Sequence, residues 1–137
     1  MNDPKDWNKQ IIEEFRANSG KVGGHFENAT LVLLHTIGAK SGLERINPMM
    51  GMPDGNRIIV IASKGGAPEN PDWFTNLVAN PKVVVEYGTE TFNATATVPE
   101  EPERSKLYGK MAAKYPFFAE YEKKTTRSIP VAILNRL

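Results

Sequence analysis

The stretch TLVLLHTIGAKSGLERINPMMGMPDGNRIIVIAS, residues 30–63, decides how the chain is read. It alternates short aliphatic and β-branched runs (TLVLLHTI, RINPMMGM, RIIVIAS) with turn chemistry in GAKSGLE and PDGN, the pattern of a β-meander. Pro53-Asp54-Gly55-Asn56 marks a hairpin, because Pro and Asp favour the entry to a turn while Gly and Asn tolerate positive φ. Gly38 and Gly42 bracket a second tight connection. Pro48 has no amide to donate, so its strand is expected at a sheet edge or broken by a bulge.

On the N-terminal side, Trp7, Ile11 and Phe15 recur four apart among charged residues, which predicts an amphipathic helix over residues 6–18 stopped by Ser19-Gly20. Such a helix either packs on the core or forms an arm over a ligand or against lipid. On the C-terminal side, Asn70-Pro71-Asp72 reads as N-cap, first helical position and acidic first-turn residue of a short helix carrying Trp73, Phe74 and Leu77 and stopped by Asn80-Pro81. KVVVEY and TFNATATV then form a hairpin around Gly88-Thr89-Glu90, with Phe92, Ala94, Ala96 and Val98 on one face. Pro99-Glu100-Glu101 opens a further helix with Leu107, Met111 and Tyr115, broken at Pro116, and IPVAIL supplies a last strand. About six strands and about three or four helices in non-repeating order give an α+β domain built on an antiparallel sheet or small barrel.

The chain has 137 residues, enough for one core, with 40% hydrophobic and 24% charged residues, which excludes disorder and fibrous repeats. A net charge of +1 gives no field to hold nucleic acid or an anionic membrane, and no basic stripe with interleaved aromatics suggests a nucleic-acid partner. The absence of cysteine removes disulfides, thiolate metal sites and a Cys nucleophile and favours a cytoplasmic address. No signal peptide is visible, so the glycosylation patterns at Asn28 and Asn93 carry little weight. The longest strictly apolar run, residues 58–62, falls far short of the roughly 20 residues that span a bilayer.

Most catalytic patterns fail. Gly38-Ala39-Lys40-Ser41 has the wrong glycine spacing for a phosphate-binding loop and leads into a strand. His25 and His35 lack metal-site spacing and read as structural or surface residues, no serine elbow occurs, and Glu100, Glu101 and Glu103 suit a helix start. What remains is a set of small, cationic, hydroxyl-bearing loops: residues 38–42, Arg45, and Ser63-Lys64-Gly65-Gly66, the last leading to the Asn70-Pro71 helix start with Trp73 on its first turn. Small residues let amides approach an anion while Lys and Arg supply charge, so these loops suit a cofactor with an acidic tail and an aromatic head. Ordinary turns bearing solvated lysines explain the same residues equally well.

The segments TIGAKSGLERINPM, IVIASKGGAPENPDWFTNLVANPKVVVEYG and YPFFAEYEKKTTRSIPVAIL carry a more specific message. In unbroken order from about residue 30 to 134, they resemble the deazaflavin-dependent nitroreductase family, split β-barrel oxidoreductases that use coenzyme F420. The resemblance implies a barrel domain over residues 28–137 preceded by a helical segment over 1–27. It also implies that Lys40, Ser41 and Arg45, with the amides around Ala39, grip the cofactor's phosphate and glutamyl tail. Ile46, Asn47, Pro48, Met49 and Met50 would border the deazaflavin ring together with Ile61, Ala62 and Ser63, with Lys64 facing the anionic groups. Asp72, Trp73, Phe74, Thr75 and Asn76 would close the pocket. Tyr115, Phe118 and Tyr121, on one helical face, would form the acceptor's aromatic wall, with Phe118 also near the cofactor and Tyr115 or Tyr121 offering a hydrogen bond to the reduced acceptor.

The chain departs from the family pattern at Ala39, where many relatives carry Arg, which removes a tail contact worth about 1–3 kcal/mol. Met50 replaces an aromatic, and Phe118 stands where nitroimidazole-active relatives offer a tyrosine hydroxyl. The expected activity is hydride transfer from reduced F420 to a quinone-like or nitroaromatic acceptor. The alternatives are a non-catalytic cofactor carrier and an FMN-binding split-barrel oxidoreductase. Oligomeric state and peripheral membrane contact stay open.

Overall fold

The computed structural model describes residues 4–23 and 30–137, with side chains from residue 8 onward, so His25, the Trp7 side chain and Asn28 lie outside the described residues. Helix α1 (Pro4–Ala17) precedes strands β1 (Leu31–Ile37), β2 (Glu44–Met50), β3 (Met52–Asp54) and β4 (Arg57–Ile61). Helix α2 (Asp72–Ala79), strands β5 (Lys82–Tyr87) and β6 (Glu90–Thr97), helices α3 (Glu103–Lys114) and α4 (Phe117–Lys123), and strand β7 (Val131–Arg136) follow.

All strand pairs are antiparallel, in the order β2-β1-β5-β6-β7-β4-β3. The two ends of that order, β2 and β3, are one run of chain bent at Gly51, so the sheet curls back on itself as a split barrel. The bend needs glycine because a Cβ there would meet Ile58 Cγ2 at 3.0 Å and Val32 Cγ1 at 3.4 Å. The expected meander is therefore interrupted: residues 44–50 pair with β1, and residues 52–54 cross to β4. Pro48 sits opposite Leu33 on β2, whose ladder runs to β1 alone, as a strand lacking one donor requires.

Strand alternation sorts the apolar residues into an inside and two outsides. Val32, Leu34, Ile58, Val60, Val83, Val85, Ala94, Ala96, Ala132 and Leu134 fill the barrel, and Trp73 and Leu77 of α2 join the same cluster. Leu31 and Leu33, on the other face of β1, pack against Phe15 and Val22, with Ile11, Ile12, Ile46 and Met50 around them. Ile59, Ile61, Val131 and Ile133 pack against α3 and α4 through Leu107, Tyr108, Met111 and Phe118. Strands β1 and β4 are thus covered on both faces, which explains why TLVLL and RIIVI read as continuous apolar runs. Ile11, Ile12 and Phe15 of α1 lie against the barrel wall, which fits the first of the two readings of this helix. Among the described residues, no helix is long and apolar enough to cross a membrane.

Three local expectations are corrected. Asn70 is not an N-cap: α2 starts at Asp72, Pro71 occupies the cap position, and the Asn70 side chain accepts a hydrogen bond from Arg127 Nη1 instead. The helix expected from Pro99 begins at Glu103, where the Glu101 carboxylate accepts from the Ser105 amide at 2.8 Å. Val98 lies beyond β6 and is 42% exposed, so only Phe92, Ala94 and Ala96 of its set face inward.

Arg16 ties α1 to β5 through a fork on Glu86, Nε to Oε1 at 3.0 Å and Nη2 to Oε2 at 2.7 Å, and His35 Nε2 lies 2.6 Å from the same carboxylate. The Arg16 hydrogen bond, followed by that of His35, holds the Glu86 carboxyl below its ordinary pKa against the opposing effect of burial. A depressed carboxyl contributes stability above its unfolded pKa and loses it as pH falls through the folded value. Wild type is therefore expected to exceed Glu86→Gln in stability at neutral pH, with the gap closing in urea melts below pH 4.5.

Candidate functional site

A cavity of about 620 Å³ lies between the β1–β2 loop and α2, lined by Gly38, Ala39, Lys40, Ser41, Arg45, Asn47, Asp72, Thr75 and Asn76. The helical repeat builds one wall: Asp72, Thr75 and Asn76, three and four apart, face the cavity, while Trp73 and Leu77 enter the barrel. Strand alternation builds another, with Arg45 and Asn47 toward the cavity and Ile46 and Met50 under α1.

The loop is fixed from both sides. Gly38 N donates to Leu43 O at 2.8 Å, Gly42 N to Gly38 O at 2.9 Å, and Leu43 N to Ser41 Oγ at 3.2 Å. A side chain on Gly38 would collide with Ser41 Oγ. Across the cavity floor, Asn76 Oδ1 accepts from Ala39 N at 2.9 Å, and its Nδ2 donates to buried Thr36 Oγ1 at 3.3 Å. The Ala39 amide expected to grip an anion is thereby occupied. The amides of Lys40 and Ser41 have no partner among the described residues.

Lys40 and Arg45 form no salt bridge among the described residues, although Arg16, Arg57, Lys64, Arg104, Lys123 and Arg136 all do. Lys64 does not line this cavity: its Nζ lies 2.9 Å from Glu69 Oε1, and that contact holds the Glu69 carboxyl below its ordinary pKa. Asp72 is the one carboxylate among the lining residues, placed on the first turn of α2, where helix amides favour negative charge.

The other expected residues fall into two further groups. Met49, Ala62, Trp73 and Phe74 belong to the barrel cluster, with Trp73 9% exposed and edge-on to Phe74 at 6.3 Å. Ile61, Tyr115, Phe118 and Tyr121 gather at the outer wall with Met50 and Phe117. Phe118 and Tyr121 belong to α4, but Tyr115 caps the end of α3, so the three do not share a helical face. The Tyr115 hydroxyl accepts from Thr30 N at 3.0 Å, whereas the half-buried Tyr121 packs on Phe117 and Phe118 with Lys124 Nζ 5.7 Å from its ring centre. Burial pushes Tyr108 up to about 12, and its hydroxyl donates to Phe118 O at 2.6 Å, anchoring α4 to α3. Pro48 is half-buried on β2, and Ser63 O accepts from Gly66 N in the loop before α2. Sequence reasoning missed Arg127, whose four acceptors lie 57 to 65 residues earlier in the chain.

A family model described as F420H(2)-dependent quinone reductase matches residues 7–136. The chain belongs to this family. A protein of Mycobacterium tuberculosis named F420H(2)-dependent quinone reductase is 35% identical over 129 residues, covering 89% of this chain and 85% of that protein. A solved F420-H2 dependent reductase shares 40% identity and a TM-score of 0.71, over 77% of this chain and 93% of that one. Another solved structure, described as a domain-swapped dimer, is 36% identical with a TM-score of 0.73 and covers 97% of this chain and all of its own. The split barrel of this quinone reductase family member thus agrees with its relatives in both sequence and fold.

The joint made by Asn76 sets the shape of the cavity. Asn76→Leu leaves the Ala39 amide and the Thr36 hydroxyl without their partner and is expected to cost about 1–3 kcal/mol, read as a lowered urea midpoint at unchanged slope.

Proposed function

We propose that this chain transfers a hydride from reduced coenzyme F420 to a quinone and holds the cofactor's anionic tail between the β1–β2 loop and α2. The observation that carries this reading is the pair of unpartnered cations, Lys40 and Arg45, beside the two unused amides of the loop. A phosphate and carboxylates fit such a donor set, because charge-assisted hydrogen bonds are the strong ones and Arg grips either group with a planar fork. The cavity volume of about 620 Å³ accommodates a chain of that size. Thr75 and Asp72 supply a hydroxyl and a carboxylate for the hydroxylated part of the cofactor.

When bound, reduced F420 supplies the hydride, and the electron-pair chemistry belongs to the cofactor. The protein's residues bind, orient and exclude water. Lys40, Ser41 and Arg45 anchor the tail, Asn47 continues their wall along β2, and Asn76 keeps the loop at a fixed distance from α2. The aromatic side chains of α4, Phe117, Phe118 and Tyr121, offer a flat apolar acceptor a surface on which to pack. Of the two tyrosines, Tyr121 is the better placed to donate to the acceptor oxygen, since Tyr115 is buried at 8% exposure while Tyr121 is half-buried on α4 beside Phe117 and Phe118.

The test is direct. Purified protein mixed with reduced F420 and menadione should restore the absorbance of the oxidised deazaflavin well above the protein-free rate. A rate equal to that control overturns the reading, and tight F420 binding without turnover makes the chain a carrier. Lys40→Ala and Arg45→Ala should each raise the F420 dissociation constant about tenfold and flatten its salt dependence. Lys64→Ala should change it by less than about twofold, because Lys64 does not line this cavity.

A further inference from the structure

Residues 62–70 join β4 to α2 and decide where the α2 wall of the cavity begins. This loop turns sharply, with Lys64 at φ 47° and Gly66 at φ 85° around a short 3-10 turn, a backbone that a non-glycine residue holds only under constraint. The constraint comes from Arg127, in the connection between α4 and β7. Its Nε donates to Ala67 O at 2.8 Å and its Nη1 to Asn70 Oδ1 at 2.7 Å. Its Nη2 donates to Ser63 O at 2.9 Å and Ala62 O at 3.2 Å. These acceptors lie at both ends of the loop, so one planar guanidinium sets its width. Arg127 forms no salt bridge among the described residues; its donors go to carbonyl and amide oxygens.

The same loop touches the aromatic helix. A Cβ on Gly66 would lie 3.0 Å from Tyr121 O and 3.0 Å from Lys124 Cβ, so the end of α4 seats directly on the 3-10 turn. Arg127 follows α4 closely in the chain and binds the loop that precedes α2, so one side chain is linked to both helices.

We propose that Arg127 is a positioning residue of the cofactor site. By clamping residues 62–70 it fixes Asp72, Thr75 and Asn76 relative to Lys40 and Arg45, and it keeps α4 on the same loop. This inference rests on the F420 reading above. Lysine is no substitute, because a flexible ammonium cannot reach both ends of the loop with a preorganised fork.

Arg127→Met and Arg127→Lys separate positioning from bulk stability. F420 affinity is read from deazaflavin fluorescence, loop order from hydrogen exchange of residues 63–70, and kcat and KM with menadione. In Arg127→Met the dissociation constant should rise at least tenfold, the loop amides should lose protection while β1 and β5 keep theirs, and the menadione KM should rise. Arg127→Lys should recover only part of each. A folded Arg127→Met with affinity within twofold of wild type overturns the proposal whatever its melting temperature, and if that variant does not fold, Arg127→Lys carries the same decision. Wild type that fails to bind F420 overturns the functional reading instead, while hydrogen exchange still reports whether the clamp exists.

Discussion

The Asn76 carboxamide joins α2 to both the β1–β2 loop and the end of β1. One end accepts from the Ala39 amide in the β1–β2 loop and the other donates to the Thr36 hydroxyl at the end of β1, while its own backbone belongs to α2. A carboxamide suits this place because it offers a donor and an acceptor at a fixed separation, and a buried polar side chain is costly unless both are used. With the joint made, α2 can drive Trp73 and Leu77 into the barrel and still leave its opposite face open. The cavity is the space between the β1–β2 loop and the open face of α2.

The charges of the site follow from that geometry. Most of the cations that form ion pairs on this surface have a carboxylate within reach on a neighbouring turn or strand, and for exposed pairs such contacts contribute little to stability. Lys40 and Arg45 have none among the described residues, and both line the cavity. Arg16, by contrast, is spent on Glu86 and fixes α1 to the barrel.

Much of the architecture was legible because strand alternation and turn residues are local. The runs read at residues 30–37, 57–63 and 82–87 became strands over 31–37, 57–61 and 82–87, and Pro48 reported its edge. The bend at Gly51 was not legible, since its reason is the approach of Ile58 and Val32 from other strands. Asn70 misled because its side chain serves Arg127 rather than the helix, a partner that local spacing does not reveal. Within the site, the motif residues 39–41, 45, 47, 72, 75 and 76 gather around one cavity. The motif could not distinguish Lys40 from Lys64: both are lysines in small-residue loops, and only the position of Glu69 separates them.

The central claim is that the unpaired cations between the β1–β2 loop and α2 receive the tail of F420. A crystal structure of the F420 complex tests it most directly. The account predicts phosphate and carboxylate oxygens within about 3.2 Å of Lys40 Nζ, the Arg45 guanidinium and the Lys40 and Ser41 amides. A tail lying instead against Lys64, with the α2 cavity holding only water, would contradict it.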